Sequence, residues 1–521
     1  MYVRLTLLLT FFIGVCRAQE IIPFPNHYEL TAGKLTIPRT LTISSSDSEF
    51  SGIIPVFRQS ARDFYSVKVE QKDENGFIRL IRNSGEKNHE GYRLTIKPDG
   101  ITVEAGYANG CFYGLQTVLQ LAGNAAAGGS LRCAVIEDSP RYEWRGLMLD
   151  ESRHFQGMTE VKRLLDFMAL QKLNKFHWHL TDAQGWRIEI KKYPLLTEVG
   201  GKGDLTNPNG PVQFYTQEEI KEIVKYAGQR FIEVIPEIEM PGHATAAVKS
   251  YPEFGGGGSE QCPDFTFNPG EKETYGFLTD ILDEIITLFP SRYIHIGGDE
   301  VHFGNEHWND IAGVHQLMQA HQLKDLPDVE HYFLNRMADS LRVRGKIAVG
   351  WDEVVTAGLP KSGTLVMWWR HEKPQQLGEA LTKGYEVVLC PRIPLYLDFV
   401  QYNLHTYGRR WSGGAFAPIE SVYRFPGKEF TGGISVSSPL VKGIQGNVWT
   451  EKIATPERLQ FMVFPRLSAL AEAAWSDDDV KNYASFNLRM NNMISLYKRM
   501  GLTFFDYRNP ENTPEIKDPV K

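Results

Sequence analysis

Cysteine is scarce in this chain, with five in 521 residues. No two of them form a C-x-x-C pair, so the usual frame of a structural zinc site is missing. Past residue 18 only Cys111, Cys133, Cys262 and Cys390 remain, widely spaced. Spacing alone does not choose among the pairings of four cysteines, and the reading adopted is buried free thiols. An excess of either charge is also lacking. Lys+Arg number 56 against 63 Asp+Glu, a net charge of −7, which supplies no basic face for a nucleic-acid backbone. No G-x-G-x-x-G follows an early strand, which counts against a dinucleotide site. No cofactor and no metal are expected. No stretch reaches the roughly 20 apolar residues of a membrane span. The apolar run from Leu5 to Val15 is too short for that. It follows Arg4 and precedes the small residues Cys16 and Ala18, the pattern of a secretory signal peptide over residues 1–18. A secreted or periplasmic protein is expected. A lipid anchor at Cys16 is one alternative, and retention of the segment as an uncleaved anchor is another.

What is present is ordinary globular material, 42% hydrophobic and 23% charged, which argues against extensive disorder. Residues 19–140 hold short β-type runs at 41–43, 77–81, 92–96 and 101–105, with turn signals at Glu74-Asn75-Gly76 and Pro98-Asp99-Gly100. A helical stretch follows at 110–122, and the Gly-rich segment 123–130 reads as a surface loop before the next unit. This is a small α+β domain.

From residue 141 apolar runs alternate with amphipathic ones. Strands are predicted at 145–150, 175–180, 231–239, 293–298, 346–351, 364–369, 385–390 and 442–449. Helices are predicted at 159–171, 216–229, 273–288, 329–343, 375–383, 455–473 and 482–500. Eight strands with helices between them predict a (β/α)8 TIM barrel over residues 141–505, followed by a tail at 506–521. A doubly wound open sheet is the other arrangement that this alternation allows.

Barrels of this kind carry their chemistry where the strands end. Those ends supply Asp150, Arg153 and His154; His177, His179 and Asp182; Glu237, Glu239 and His243; then Asp299 and Glu300. Trp351, Asp352 and Glu353 follow, then Trp368, Trp369 and Arg370, then Tyr396 and Asp398, and finally Trp449 and Glu451. Carboxylates supply acid and base, indoles stack on the C–H face of a sugar, and arginine and carboxylate read hydroxyls: the makings of a glycosidase pocket. Neither a serine nucleophile elbow nor a phosphate loop is among them. Asp299-Glu300 is the sharpest element. Regular strand geometry would send the two to opposite faces, but Gly297-Gly298 permits a bend that turns both to one ligand. His177 and His179, on one strand face, also have the spacing of a metal pair, although a hydrogen-bonded structural role is the simpler reading.

Six segments in order, RGLMLDESRHF (145–155), FHWHLTDAQGWRIEI (176–190), PEIEMPGHA (236–244), HIGGDE (295–300), GWDE (350–353) and GNVWTE (446–451), resemble the β-N-acetylhexosaminidases of glycoside hydrolase family 20. The likeness covers about residues 20–505. It implies exo-hydrolysis of a terminal β-N-acetylhexosamine from a glycan, with the substrate's own acetamido oxygen as nucleophile. Asp299 would then orient the acetamido N–H and Glu300 would be the acid and base. The resemblance also gives Arg153 and Glu451 the 3- and 4-hydroxyls, and makes Trp351, Trp369 and Trp449 the walls. Tyr396 would donate to the acetamido oxygen and Asp398 would take the 6-hydroxyl. Asp182 and His243 would stand behind Glu300, with Glu239 as the partner of His243. The alternatives are a non-catalytic sugar-binding protein and another barrel glycosidase such as a chitinase, whose DxxDxDxE pattern is missing.

Overall fold

The computed structural model describes residues 21–518. The signal-peptide reading and Cys16 fall outside the described residues. Among the described residues no helix is long and apolar enough to cross a membrane.

The first unit is a seven-stranded mixed sheet. Its strands run in the order His27–Thr36, Ser130–Asp138, Tyr92–Lys97, Gly100–Ala105, Ile78–Arg82, Thr40–Ser45 and Lys68–Gln71. Tyr92, Leu94 and Ile96 alternate inward with Arg93 and Lys97 outward, the period of a sheet with one covered face. That face is covered by the helices Ile54–Tyr65 and Ala108–Ala125. The second is buried along almost its whole circumference, because its far side meets the barrel. There Gln120 Nε2 donates to the Leu170 carbonyl at 3.1 Å, and the Phe112 and Phe231 rings lie 5.1 Å apart. A helix apolar on all sides is one that is covered on all sides.

The Gly-rich segment differs from expectation. The helix continues to Ala125, and Ser130–Asp138 then returns as a strand between His27–Thr36 and Tyr92–Lys97. Its alternation of buried Leu131 and Cys133 with exposed Ser130 and Arg132 is the β signal masked by the glycines before it. Buried ion pairs lock the two units together: Arg145 on Glu90 at 2.7 Å and Lys172 on Asp138 at 2.9 Å.

The second unit is a closed barrel of eight parallel strands: Trp144–Asp150, Lys175–His179, Glu233–Met240, Tyr293–Gly297, Ile347–Trp351, Thr364–Trp368, Glu386–Leu389 and Val441–Val448. The last pairs with the first, Ile444 opposite Arg145, which excludes the open sheet. Local signals start the helices. Thr216 and Glu219 form a reciprocal capping box on Gln217–Gly228, and Pro374 and Pro456 open two others. The helix expected over 455–473 is two, Pro456–Val463 and Arg466–Trp475. Pro465 lacks an N–H and forces Phe464 out of helical geometry, to ψ 132°. Inside the barrel Trp144, Ile235, Tyr293, Val349 and Leu365 pack together. The polar residues lie toward the C-terminal strand ends. The four described cysteines are free, and three of them are buried.

Candidate functional site

At the C-terminal end of the barrel a cavity of about 120 Å³ is lined by Arg153, Asp182, His243, Asp299, Glu300, Trp351, Trp369, Tyr396, Arg409, Trp449 and Glu451. Ten of the twelve residues given a role by the resemblance therefore line this cavity. Glu239 does not, and neither does Asp398. Asp398 is 1% exposed and lies behind Arg409, whose Nε is 3.6 Å from Asp398 Oδ2.

The fourth strand ends at Gly297, and Gly297, Gly298 and Glu300 all have positive φ, of 67°, 86° and 54°. This breaks the pleat and brings neighbouring carboxyls to one pocket. The Glu300 side chain is 33% exposed and stands at the mouth, while that of Asp299 is 11% exposed and sits deeper. Asp299 Oδ1 is buried and accepts no hydrogen bond from any described residue. A non-glycine residue at positive φ stores strain of roughly 1–3 kcal/mol, as functional turns often do.

His243, itself at φ 54°, faces both carboxyls. Its Nε2 is 3.7 Å from Asp299 Oδ2 and 3.7 Å from Glu300 Oε2. Its Nδ1 donates to Asp182 Oδ1 at 3.0 Å. Glu239, expected as the partner of His243, is not. Its backbone N–H bonds to Thr181, and its carboxyl packs toward Gly297. Burial and then the Asp299 and Glu237 charges push it well above the usual carboxylate range. Asp182 is shorter and enters from the loop after the second strand, so it reaches His243 where Glu239 cannot.

Burial works against the His243 imidazolium, but Asp182 and Asp299 outweigh it and lift the ring to about 9. Burial is also the largest influence on Asp299. Opposed by His243 and aided by Glu300, it raises that carboxyl to about 7. For Asp182, Arg153 and His243 overcome burial and hold the carboxyl well below its ordinary value.

The walls follow from the pleat. Trp369 lines the cavity, and its Nε1 donates to Glu353 at 3.0 Å. Its neighbour Trp368 points outward into the helix ring, so of the two indoles the inner one is Trp369. Trp351 Nε1 donates to Glu237 at 2.9 Å. The Tyr396 ring lies parallel to Trp369 at 6.4 Å, with 9° between planes. Arg153 is held by Asp182 at 2.7 Å and by Gln184 at 2.9 Å, over the Trp449 ring at 5.0 Å. Glu451 accepts from Arg409 at 2.5 Å and keeps its second oxygen unpartnered among the described residues.

Arg409 was missed by sequence reasoning. It lies in the long loop after the seventh strand, where no periodicity marks it. The double arginine in YGRRW was the only signal available. His177 and His179, considered as a metal pair, surround Glu237 together with His295. The distances from their ring nitrogens to its carboxylate are 2.9, 2.5 and 2.8 Å. Each imidazole thus lies close to the one carboxylate, but of the three only His179 hydrogen-bonds to it; Gln445 Nε2 donates to His177 Nδ1 at 3.0 Å and the Gly297 N–H donates to His295 Nδ1 at 3.0 Å.

With this geometry in hand, two family models match the chain. One, described as glycosyl hydrolase family 20, catalytic domain, covers residues 142–478. The other, glycosyl hydrolase family 20, domain 2, covers residues 18–139. A beta-hexosaminidase of Porphyromonas gingivalis is 35% identical over 510 residues, 93% of this chain and 64% of that protein, so this chain spans under two thirds of that relative. A beta-hexosaminidase of Vibrio furnissii is 34% identical over 87% of this chain and 76% of its own length. Among solved structures, an exo beta-N-acetylglucosaminidase from Vibrio harveyi in complex with N-acetylglucosamine superposes with TM-score 0.85 at 31% identity, covering 93% of this chain and 78% of that one. The beta-N-acetylhexosaminidase from Bacteroides fragilis gives TM-score 0.84 at 31% identity, over 96% and 100%.

Proposed function

Because the chain belongs to glycosyl hydrolase family 20, we propose that it is an exo-acting β-N-acetylhexosaminidase. It removes terminal non-reducing β-linked GlcNAc or GalNAc from glycans with retention, using the substrate's acetamido group as nucleophile. The observation that carries this reading is the adjacency of Asp299 and Glu300 on one pocket wall. A retaining enzyme with its own nucleophile places its carboxyls on opposite sides of the sugar, about 5–5.5 Å apart; substrate-assisted families are the exception.

The residues act as follows. Arg153 and Glu451 hold the 3- and 4-hydroxyls and close the pocket, which restricts cleavage to a chain end. Trp351, Trp369 and Trp449 enclose the ring and acetamido, and Tyr396 donates to the acetamido oxygen. Asp299, as carboxylate, accepts the acetamido N–H and turns the oxygen toward C1. As the C1–O bond breaks, Glu300 gives its proton to the leaving oxygen, and the acetamido oxygen bonds to C1 as an oxazolinium. Glu300, now carboxylate, takes a proton from water as that water opens the ring at C1. His243 and Asp182 keep a positive charge beside the two carboxyls throughout.

The test is hydrolysis of an aryl β-GlcNAc by the natural chain and by Glu300→Gln, with the aryl β-glucoside as control. Expected are cleavage of the first substrate, little of the second, and a loss of roughly 10²–10⁴-fold in Glu300→Gln. Comparable cleavage of the glucoside would overturn the acetamido mechanism. Inactivity on both would move the reading toward a sugar-binding role.

A further inference from the structure

A second cavity, of about 530 Å³, opens beside the pocket and shares Glu300, Trp369 and Arg409 with it. What it does rests on the hexosaminidase reading above. With O3 and O4 at Arg153 and Glu451, the acetamido lies at Trp351 and Trp369. The anomeric carbon is bonded to the acetamido-bearing carbon and lies across the ring from C4. The leaving group therefore departs past Glu300 on the Trp369 side. A larger groove, of about 620 Å³, also borders Glu300, but it otherwise meets the pocket at Arg153 and His243 and not at Trp369, toward the end that holds O3 and O4.

The groove on the Trp369 side is lined by five cations, Arg370, Lys373, Arg392, Arg409 and Arg410, against the carboxyls of Glu300, Glu353 and Glu372. Two of the cations are neutralised. Arg370 pairs with Asp352 and with Glu353 at 3.2 Å, and Arg409 pairs with Glu451. Arg410 donates to the carbonyls of Asn403, His405 and Gly414, so its charge meets backbone rather than carboxylate.

Arg392 stands apart. Its side chain is only 10% exposed. Its guanidinium lies between the indoles of Trp369, at 4.3 Å, and Trp411, at 4.1 Å. The carboxylate oxygen paired with it, Glu372 Oε1, is 3.6 Å away, beyond hydrogen-bond length. No described residue accepts a hydrogen bond from this guanidinium, so its N–H groups are left to whatever occupies the groove that it lines. The two indoles confine the guanidinium between them, which favours its use as a fork for a planar or tetrahedral oxyanion in the groove. It lines the route of the departing sugar.

We infer that this groove selects an anionic sugar on the leaving-group side of the cleaved bond, its carboxylate or sulfate oxygens accepting from Arg392, with Lys373 adding charge at the rim. The enzyme then acts preferentially on glycans in which the terminal N-acetylhexosamine is attached to a uronate or a sulfated sugar.

Three disaccharides test this: β-GlcNAc on glucuronate, on 6-sulfated glucose and on unmodified glucose, with kcat/KM measured beside an aryl β-GlcNAc. For at least one anionic disaccharide the natural chain is expected to exceed the neutral one by about tenfold, the size of a single charge-assisted contact. Which anion gains identifies the ligand. The ratio is expected to fall toward one in Arg392→Gln, to fall partly in Lys373→Gln, and to shrink as salt is raised. A ratio near one in the natural chain, or one that survives Arg392→Gln, overturns the inference. If Arg392→Gln does not fold, the Lys373→Gln ratio and the salt dependence decide: unchanged in both, they overturn it. Cleavage of the aryl substrate without any anionic preference removes this inference alone. Failure to cleave the aryl substrate removes the hexosaminidase reading and this inference together.

Discussion

His243 and Asp182 form a hydrogen-bonded pair at 3.0 Å, and the free edge of the imidazole stands 3.7 Å from both Asp299 and Glu300. The charge of one side chain thus depends on a carboxylate that never touches the pocket's acid. Asp182 lifts His243 to about 9, and the imidazolium in turn restrains the rise of Asp299 to about 7. A raised carboxyl is protonated below its folded value and ionised above it. The acetamido-orienting role proposed for Asp299 needs the ionised form, so kcat/KM on an aryl β-GlcNAc is expected to rise with pH along an acidic limb near 7. In Asp182→Asn the imidazole loses its anion and its proton, Asp299 loses a cation, and the limb moves to higher pH. A limb that stays in place, with only a lower plateau, would contradict this coupling.

Gly297 makes the carboxyl pair possible. It sits at φ 67°, and a Cβ there would lie 1.7 Å from Glu239 Oε2. The obstacle is a buried carboxyl with little freedom to withdraw. Gly297→Ala is therefore expected to lose activity by two orders of magnitude or more, because it shifts the Asp299-Glu300 turn and with it the carboxyl of the proposed acid; a misplacement near 1 Å costs about 10²-fold. Gly228→Ala, where an added Cβ meets no heavy atom within 4 Å, is the matched control. Equal kcat in the two variants would show that the turn does not depend on Gly297.

The barrel was legible because each of its strands is a short apolar run and the chemistry-bearing residues recur at the ends. The Asp299-Glu300 turn was legible because two glycines precede it. What escaped has a physical reason in each case. Arg409 acts from a loop, which has no period to read. The exchange of Glu239 for Asp182 as the partner of His243 turns on side-chain reach across two strand ends, and spacing along the chain does not encode reach. The strand Ser130–Asp138 was hidden because its alternation begins only after the Gly-rich turn. The groove around Arg392 depends on Trp369 and Trp411, more than forty positions apart in sequence, closing on one guanidinium.

Glu237 is the hub of the barrel interior. It accepts from Trp351 at 2.9 Å and faces His177, His179 and His295. Burial favours a neutral His179, but Glu237 and Asp182 lift it to about 10. A histidine raised in this way contributes stability that is complete below its unfolded value, near 6.5, and is lost as pH rises through about 10. Glu237→Gln leaves the imidazolium without its main anion, a loss of roughly 3–5 kcal/mol for a broken buried pair. Denaturant melts are expected to show the full deficit at pH 6 and a smaller one above pH 10. A deficit of the same size at both would mean that Glu237 acts by packing and hydrogen bonding alone.

The C-terminal tail reaches the pocket indirectly. Glu515 accepts from the Thr406 N–H at 2.8 Å and from the Tyr407 N–H at 3.0 Å. Asp518 accepts from the Tyr407 hydroxyl at 3.0 Å, and Arg458 reaches the Ile516 carbonyl at 2.6 Å. These bonds hold the backbone just before Arg409, the residue that orients Glu451. If Glu451 reads a sugar hydroxyl, it does so equally in the bound substrate and in the transition state, and weakening it raises KM while sparing kcat. Removal of residues 513–521 is expected to raise KM for an aryl β-GlcNAc about fivefold, the effect of losing about 1 kcal/mol of binding, with kcat within twofold. The double change with Arg409→Ala should add little, since both act through one loop and coupled sites are not additive. Additive losses would place the tail's contribution elsewhere, and an unchanged KM would show that the loop holds its shape without the tail.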